Sequence, residues 1–284
     1  SYLTDGITWN TNYVAVINQD DTATDLEGWV TVDNKAGTSF GNATLKLVAG
    51  DVHRITRAEE IRYPLTYAEK EVGAAPAGFE EEAFYEYHLY TLGRPTTIKN
   101  NQMKQIELLN AKDVPVTKEY VFEPSSSWWW SSSSKTKVKT MLNLKNSEEN
   151  GMGIPLPKGI VRVYKADSSG QLQFVGEDQI DHTPKDEEIR LFTGYAFDLT
   201  GEAKTIDTKR ISDCESEKTR QIKLRNHKEE DVKITVIEYL GHYWTITEKT
   251  HDYEKLSASK IKFVVNVPKD EETTIEYTAH YNYC

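Results

Sequence analysis

The densest group of side chains able to do chemistry is Gly176–Glu188, GEDQIDHTPKDEE. Glu177, Asp178, Asp181 and His182 place carboxylate oxygens and an imidazole close together in the chain. Such a set could ligate a hard or borderline cation, or form a His–Asp acid–base pair. The enzymatic reading is therefore a metal-assisted hydrolase centred on Asp178, Asp181 and His182. Their spacing, however, matches no standard ligand pattern. Asp181 and Thr183 beside Pro184 equally suit local backbone bonds that fix a turn. The turn is the better reading, so neither a catalytic residue nor a cofactor is expected.

Other motifs weaken on inspection. Gly37-Thr38-Ser39-Phe40-Gly41 satisfies GxSxG, but a nucleophile elbow needs a strand followed by a helix. Here a strand-like segment follows, and the glycines serve a loop. Asp20, Asp21, Asp25 and Glu27 lack the interval and glycine of a calcium loop. Asn42-Ala43-Thr44 is an acceptor sequon that matters only in a glycosylating exported setting. Cys214 and Cys284 have no CxxC spacing. They either pair, stabilising by a few kcal/mol through loop closure, or stay free thiols, and Cys284 could also bond between chains.

SSSWWWSSSS, residues 125–134, sets Trp128, Trp129 and Trp130 in a serine tract. If extended, Trp128 and Trp130 share a face and Trp129 takes the other, so one core cannot take all three. They suit a contact with a partner or a second copy, or a platform for sugar rings.

These residues must be carried by thin, one-sided layers, because only 38% of the 284 residues are apolar. The formal charge of −11, from 45 acidic against 34 basic side chains, argues against nucleic acid and against an anionic membrane surface. No run approaches the ~20 apolar residues of a spanning helix. No signal-like segment precedes Ser1, so the chain reads as a mature or excised product.

Period-two alternation recurs. In KIKFVVNV, Ile261, Phe263, Val265 and Val267 fall on one face; in TTIEYTAHYNYC, so do Ile275, Tyr277, Ala279, Tyr281 and Tyr283. Similar segments are residues 29–32, 43–48, 138–144, 160–164, 172–175, 189–192, 222–224 and 232–239, separated by turn signals such as DSSG and PKD. The best helical candidate is Phe79–Tyr87, short and acidic. The predicted fold is all-β: a large multi-stranded β-sandwich-like domain over 1–212, with a mobile excursion at 65–83, then a small Ig-like β-sandwich over 213–284. No repeat at a fixed period is visible.

Three stretches carry a resemblance: LEGWVTVDNKAGTSFGNATLKLVAGDV (26–52), GIPLPKGIVRVYKADSSGQLQFVGEDQIDHTPKDEEIRLFTGYAFDL (153–199) and IKLRNHKEEDVKITVIEYLGHYW (222–244). Together they resemble the bacterial domain-of-unknown-function family that forms the C-terminal half of mucoidy-inhibitor-type proteins. The resemblance implies a β-rich, exported or envelope-associated protein with no established reaction and no catalytic residues to carry over. The family's usual N-terminal domain and coiled coil are absent here, and the Trp-Ser tract departs from its pattern.

The resulting expectation is a non-enzymatic extracellular or cell-envelope protein, a surface or filament subunit whose partner is itself or another envelope protein. The alternatives are the hydrolase above and a glycan-binding module.

Overall fold

The computed structural model describes residues 4–50, 78–124 and 133–284. Among them the backbone is almost wholly extended, in eighteen strands with one 3-10 turn at Glu148–Asn150. The fold is all-β and sandwich-like, as the alternation predicts. The chain divides into two compact units, each from two stretches: 1–117 with 143–191, and 118–142 with 192–284. Residue 212, where a boundary is expected from composition, lies inside the second unit's stretch 192–284. Three long strands, β8 (Gln102–Phe122), β9 (Ser133–Lys145) and β12 (Glu188–Arg210), contribute residues to both units.

The first unit is built on the hairpin of β1 (Ile7–Ile17) and β2 (Ala23–Asn34). Along β1, Thr11, Tyr13, Ala15 and Ile17 are buried in phase, and Val30 and Val32 of β2 continue that face. β8 pairs with β2. On the other side of β1, β10 (Gly159–Ala166) runs parallel from Thr11 onwards. Gly159 makes this approach possible, since a Cβ there would stand 2.3 Å from the Thr11 carbonyl oxygen. β11 (Leu172–Ile180) follows as the last strand.

The second layer of this unit is a sheet of β4 (Lys46–Ala49), β6 (Tyr87–Leu92) and β5 (Phe79–Phe84), beside the pair β3 (Phe40–Ala43) and β7 (Thr96–Ile98). Leu47, Ala49 and Tyr90 meet Val30, Val32, Ile98 and Leu108 in one apolar cluster. Two buried tyrosines tie a proline loop over it: Tyr13 Oη donates to the Pro157 carbonyl at 2.7 Å and Tyr90 Oη to the Pro155 carbonyl at 2.6 Å.

Two expectations are corrected here. Phe79–Tyr87 is not helical, because Phe79–Phe84 pairs with Tyr87–Leu92 as a hairpin that turns at Tyr85, φ 59°. The cross-strand partners YHLYTL outweigh the weak local propensity of the glutamates. The excursion at 65–83 therefore ends in strand β5, while residues 65–77 lie outside the described residues.

In the second unit, β13 (Glu215–Asn226) and β18 (Glu272–Asn282) pair antiparallel, with β12 on the far side of β13 and β15 (Trp244–Lys249) beyond β18. Facing them are β14 (Val232–Tyr239), β17 (Lys260–Val267) and β16 (Tyr253–Lys255), with the end of β8 pairing β14. The alternating residues do what the pattern predicts. Ile261, Phe263, Val265 and Val267 are buried against Ile222, Leu224, Ile275, Tyr277, Ala279 and Tyr281. Each such side chain contributes roughly 1.5–3 kcal/mol on burial. Tyr283, in phase with them, is instead exposed and stacks on Tyr281, ring centroids 6.0 Å apart.

This core also encloses a charged network. Glu238, 3% exposed, receives Tyr277 Oη at 2.7 Å and the Arg220 guanidinium at 3.3 Å through both Nε and Nη2.

Candidate functional site

The acidic segment and a sheet edge come together at β11. Among the described residues β11 pairs only with β10, and their register slips so that Val175 has no opposite residue. Leu172, Phe174 and Val175 are 55%, 57% and 41% exposed. Phe174 stands edge-on to Tyr164 of β10 at 5.7 Å. An edge strand presents unpaired backbone groups, and natural sheets usually guard them with charge or proline. Neither occurs in Leu172–Val175.

The turn that delivers this edge is fixed by Asp167. Its carboxylate accepts the Ser169 hydroxyl at 2.6 Å, Gln173 Nε2 at 2.8 Å, and the Ser169 and Gln171 amides at 2.9 and 3.1 Å. These bonds, the Ser169 hydroxyl first, hold its pKa down to about 2. At neutral pH the turn is therefore locked by a full negative charge.

Beyond the bulge the strand turns polar. Glu177 pairs with Arg162 of β10 at 3.3 Å, and Asp178 accepts the Gln179 amide at 2.8 Å. Past the strand, the exposed Asp181 offers its carbonyl to the Thr183 hydroxyl at 2.9 Å, and Thr183 exchanges two backbone bonds with Leu156. The Lys158 amide donates to His182 Nδ1 at 3.2 Å. Asp178, Asp181 and His182 thus serve strand and turn locally. Among the described residues no group of three His, Cys, Asp or Glu side chains is arranged to hold a metal ion.

The remaining sequence candidates resolve similarly. Asp21 pairs with Lys165, and Asp25 takes Lys112 and the Asp113 amide. Ser39 sits between strands β2 and β3 and accepts the Asn100 amide at 2.9 Å. Asn42 is exposed at φ 48°. Cys214 and Cys284 are joined as a disulfide, Cα atoms 5.4 Å apart. Trp128, Trp129 and Trp130 lie outside the described residues.

Sequence reasoning missed the edge character of residues 172–175, because which strand ends a sheet is decided by distant pairings. It also missed the Arg220–Glu238–Tyr277 network, although a signal was present. Glu238 is in phase with Val232, Ile234 and Val236, and Arg220 with Ile222 and Leu224, so each charge falls in an inward register.

No family model matches the chain, and no curated protein matches it. Among the described residues no helix is long and apolar enough to cross a membrane.

Proposed function

We propose that this chain is a non-enzymatic extracellular or cell-envelope β-protein that self-assembles through the β11 edge. The observation that supports this most is the exposed, uncharged stretch Leu172–Val175, apolar at Leu172, Phe174 and Val175, on a terminal strand. The occupant we assign is β11 of a second copy. An antiparallel pairing centred on Phe174 joins residues 172–176 of the two copies and carries Glu177 and Asp178 past the start of the partner strand, so no two carboxylates are paired within it. A centre at Glu177 or Asp178 would stack like charges. Main-chain bonds supply the attraction, and the apolar side chains fix the register. With a charge of −11 per copy, assembly should strengthen as salt screens the repulsion. The envelope setting rests on the resemblance in the three quoted stretches, and we extend to residues 213–284 the Ig-like reading made from their strand count.

Light scattering across protein and salt concentration tests the proposal, beside the variant Phe174→Lys, whose exposed site leaves folding intact. Wild-type mass should rise with both concentrations and the variant should stay monomeric. A wild type that is strictly monomeric, or a variant that assembles equally well, sinks it.

A further inference from the structure

A second feature lies in the first unit, where β1 outruns its neighbour. β10 begins opposite Thr11, so Ile7–Asn10 of β1 pair only with β2 among the described residues. A cleft of about 460 Å³ wraps around that free edge. Its walls are the β1 residues Trp9–Asn12, the end of β4 at Val48–Gly50, the Pro157–Ile160 segment, and Gln179 and His182. The volume falls within the usual range for small-molecule sites, about 300–1,000 Å³.

The chemistry of the lining is selective. Among the described residues no carboxylate side chain lines this cleft. Instead there are three carboxamides, an imidazole, a hydroxyl, an indole and one cation, Lys158. Asn12 lies opposite Ile160 on β10, and Ile160 opposite Gln179 on β11, so the two amides stand in one cross-strand row. Asn12 Nδ2 donates to Asn10 Oδ1 at 3.0 Å, which fixes both carboxamides. His182 is oriented by the Lys158 amide. Thr11 is 2% exposed, and its hydroxyl has no hydrogen-bond partner among the described residues. A buried hydroxyl left unpaired costs about 1–3 kcal/mol. Trp9 is half-buried beside it and offers an apolar ring surface.

We infer that this cleft binds a small polyhydroxylated ligand of the sugar class, with Trp9 as the apolar wall and Asn12, Gln179 and His182 as the orienting polar groups. Carboxamides both donate and accept, which matches the paired roles of a sugar hydroxyl. Among the described residues a cationic ligand would find no counter-charge here and would meet Lys158. This site is independent of β11 self-pairing, and either can fail alone.

Saturation-transfer NMR on the full chain, with glucose, N-acetylglucosamine and maltose as probes, tests the inference. At least one should give a signal in the wild type. Gln179→Ala and His182→Ala should each weaken it roughly tenfold, the loss of one net hydrogen bond, Gln179→Ala with unchanged melting temperature and His182→Ala with a small fall, because the Lys158 amide loses its acceptor. Trp9→Phe, which keeps an apolar ring against the core, should weaken it less than removal of either polar group. No signal from any of the three sugars overturns the inference, and so does a signal that survives unchanged in both Gln179→Ala and His182→Ala.

Discussion

Two corners of the molecule, one in each unit, solve the same problem with the same atom. Asn34 ends β2 and Asn226 ends β13, and both are fully buried. Asn34 Nδ2 donates to the carbonyls of Thr38, Ile98 and Lys99, and its Oδ1 accepts the Ala36 amide. Asn226 Nδ2 donates to those of Glu230, Val267 and Pro268, and its Oδ1 accepts the Lys228 amide. The chain crosses between layers twice at each corner: β2 to β3 and β7 back to β8, then β13 to β14 and β17 back to β18. Each returning turn carries one left-handed residue, Asn101 at φ 57° and Asp270 at φ 55°. Crossing between layers strips backbone groups of ladder partners, and a buried polar group must find another. One carboxamide, with two donors and an acceptor, meets that demand on both crossings.

What differs between the units is how they treat their other buried polar groups. In the first, Tyr13 and Tyr90 donate to neutral proline carbonyls. In the second, Tyr277 donates to a carboxylate whose charge is answered by Arg220. The second unit also carries the disulfide. The neutral arrangement tolerates loss of a partner far better than the ionic one, and this asymmetry sets the order of the expected effects.

The largest falls on Arg220→Met. It leaves Glu238 buried without its counter-charge, a loss of about 3–5 kcal/mol. Chemical denaturation should show the midpoint fall steeply, and Arg220→Met with Glu238→Leu together should restore most of it. If the double variant is as unstable as the single, the cost lies in packing and the contrast with the first unit fails.

Next come Asn34→Ala and Asn226→Ala. Each orphans several carbonyls and an amide, at roughly 2–3 kcal/mol. The comparison requires the two losses to be alike within about 1 kcal/mol, given the scatter of such values. A neutral result at either corner would show that the shared geometry is not shared energetics.

Much of the architecture was legible beforehand, and the reason is local. Alternation over Lys260–Val267 and Thr273–Tyr281 reports burial directly, so faces and strands could be read from single segments. The corners were not read, though the sequence repeats their turn: PKDEE occurs at Pro184–Glu188 and again at Pro268–Glu272. At the first copy, Asp186 is left-handed at φ 68°, and buried Asn146 donates to the Pro184 carbonyl, as Asn226 does to Pro268. The repeat escaped notice because its spacing is not periodic and its asparagine lies far away in sequence. The candidate sites were less legible still. An edge at β11 and a cleft beside β1 are defined by where β10 begins and where the sheet stops, and no single segment encodes either.

The smallest effect separates the tyrosines by pH. Burial first, and the neighbouring Tyr90 second, push the Tyr13 hydroxyl well above its ordinary value near 10. Below about pH 10 both folded and unfolded chains hold that proton, so its contribution is complete. Above it the unfolded chain releases the proton while the folded one keeps it, and stability falls by about 1.4 kcal/mol per pH unit for this group. Tyr13→Phe gives up one hydrogen bond, about 1 kcal/mol, at neutral pH. It also removes that alkaline slope, so its deficit against the wild type should close between pH 8 and about 11. Tyr277→Phe should start from a larger deficit, because Glu238 loses a charge-assisted donor. Urea midpoints at the two pH values measure both gaps. A Tyr13→Phe deficit that stays constant would mean its proton leaves the folded and unfolded chains at the same pH, and the neutral tyrosine lock of the first unit would be gone as an idea.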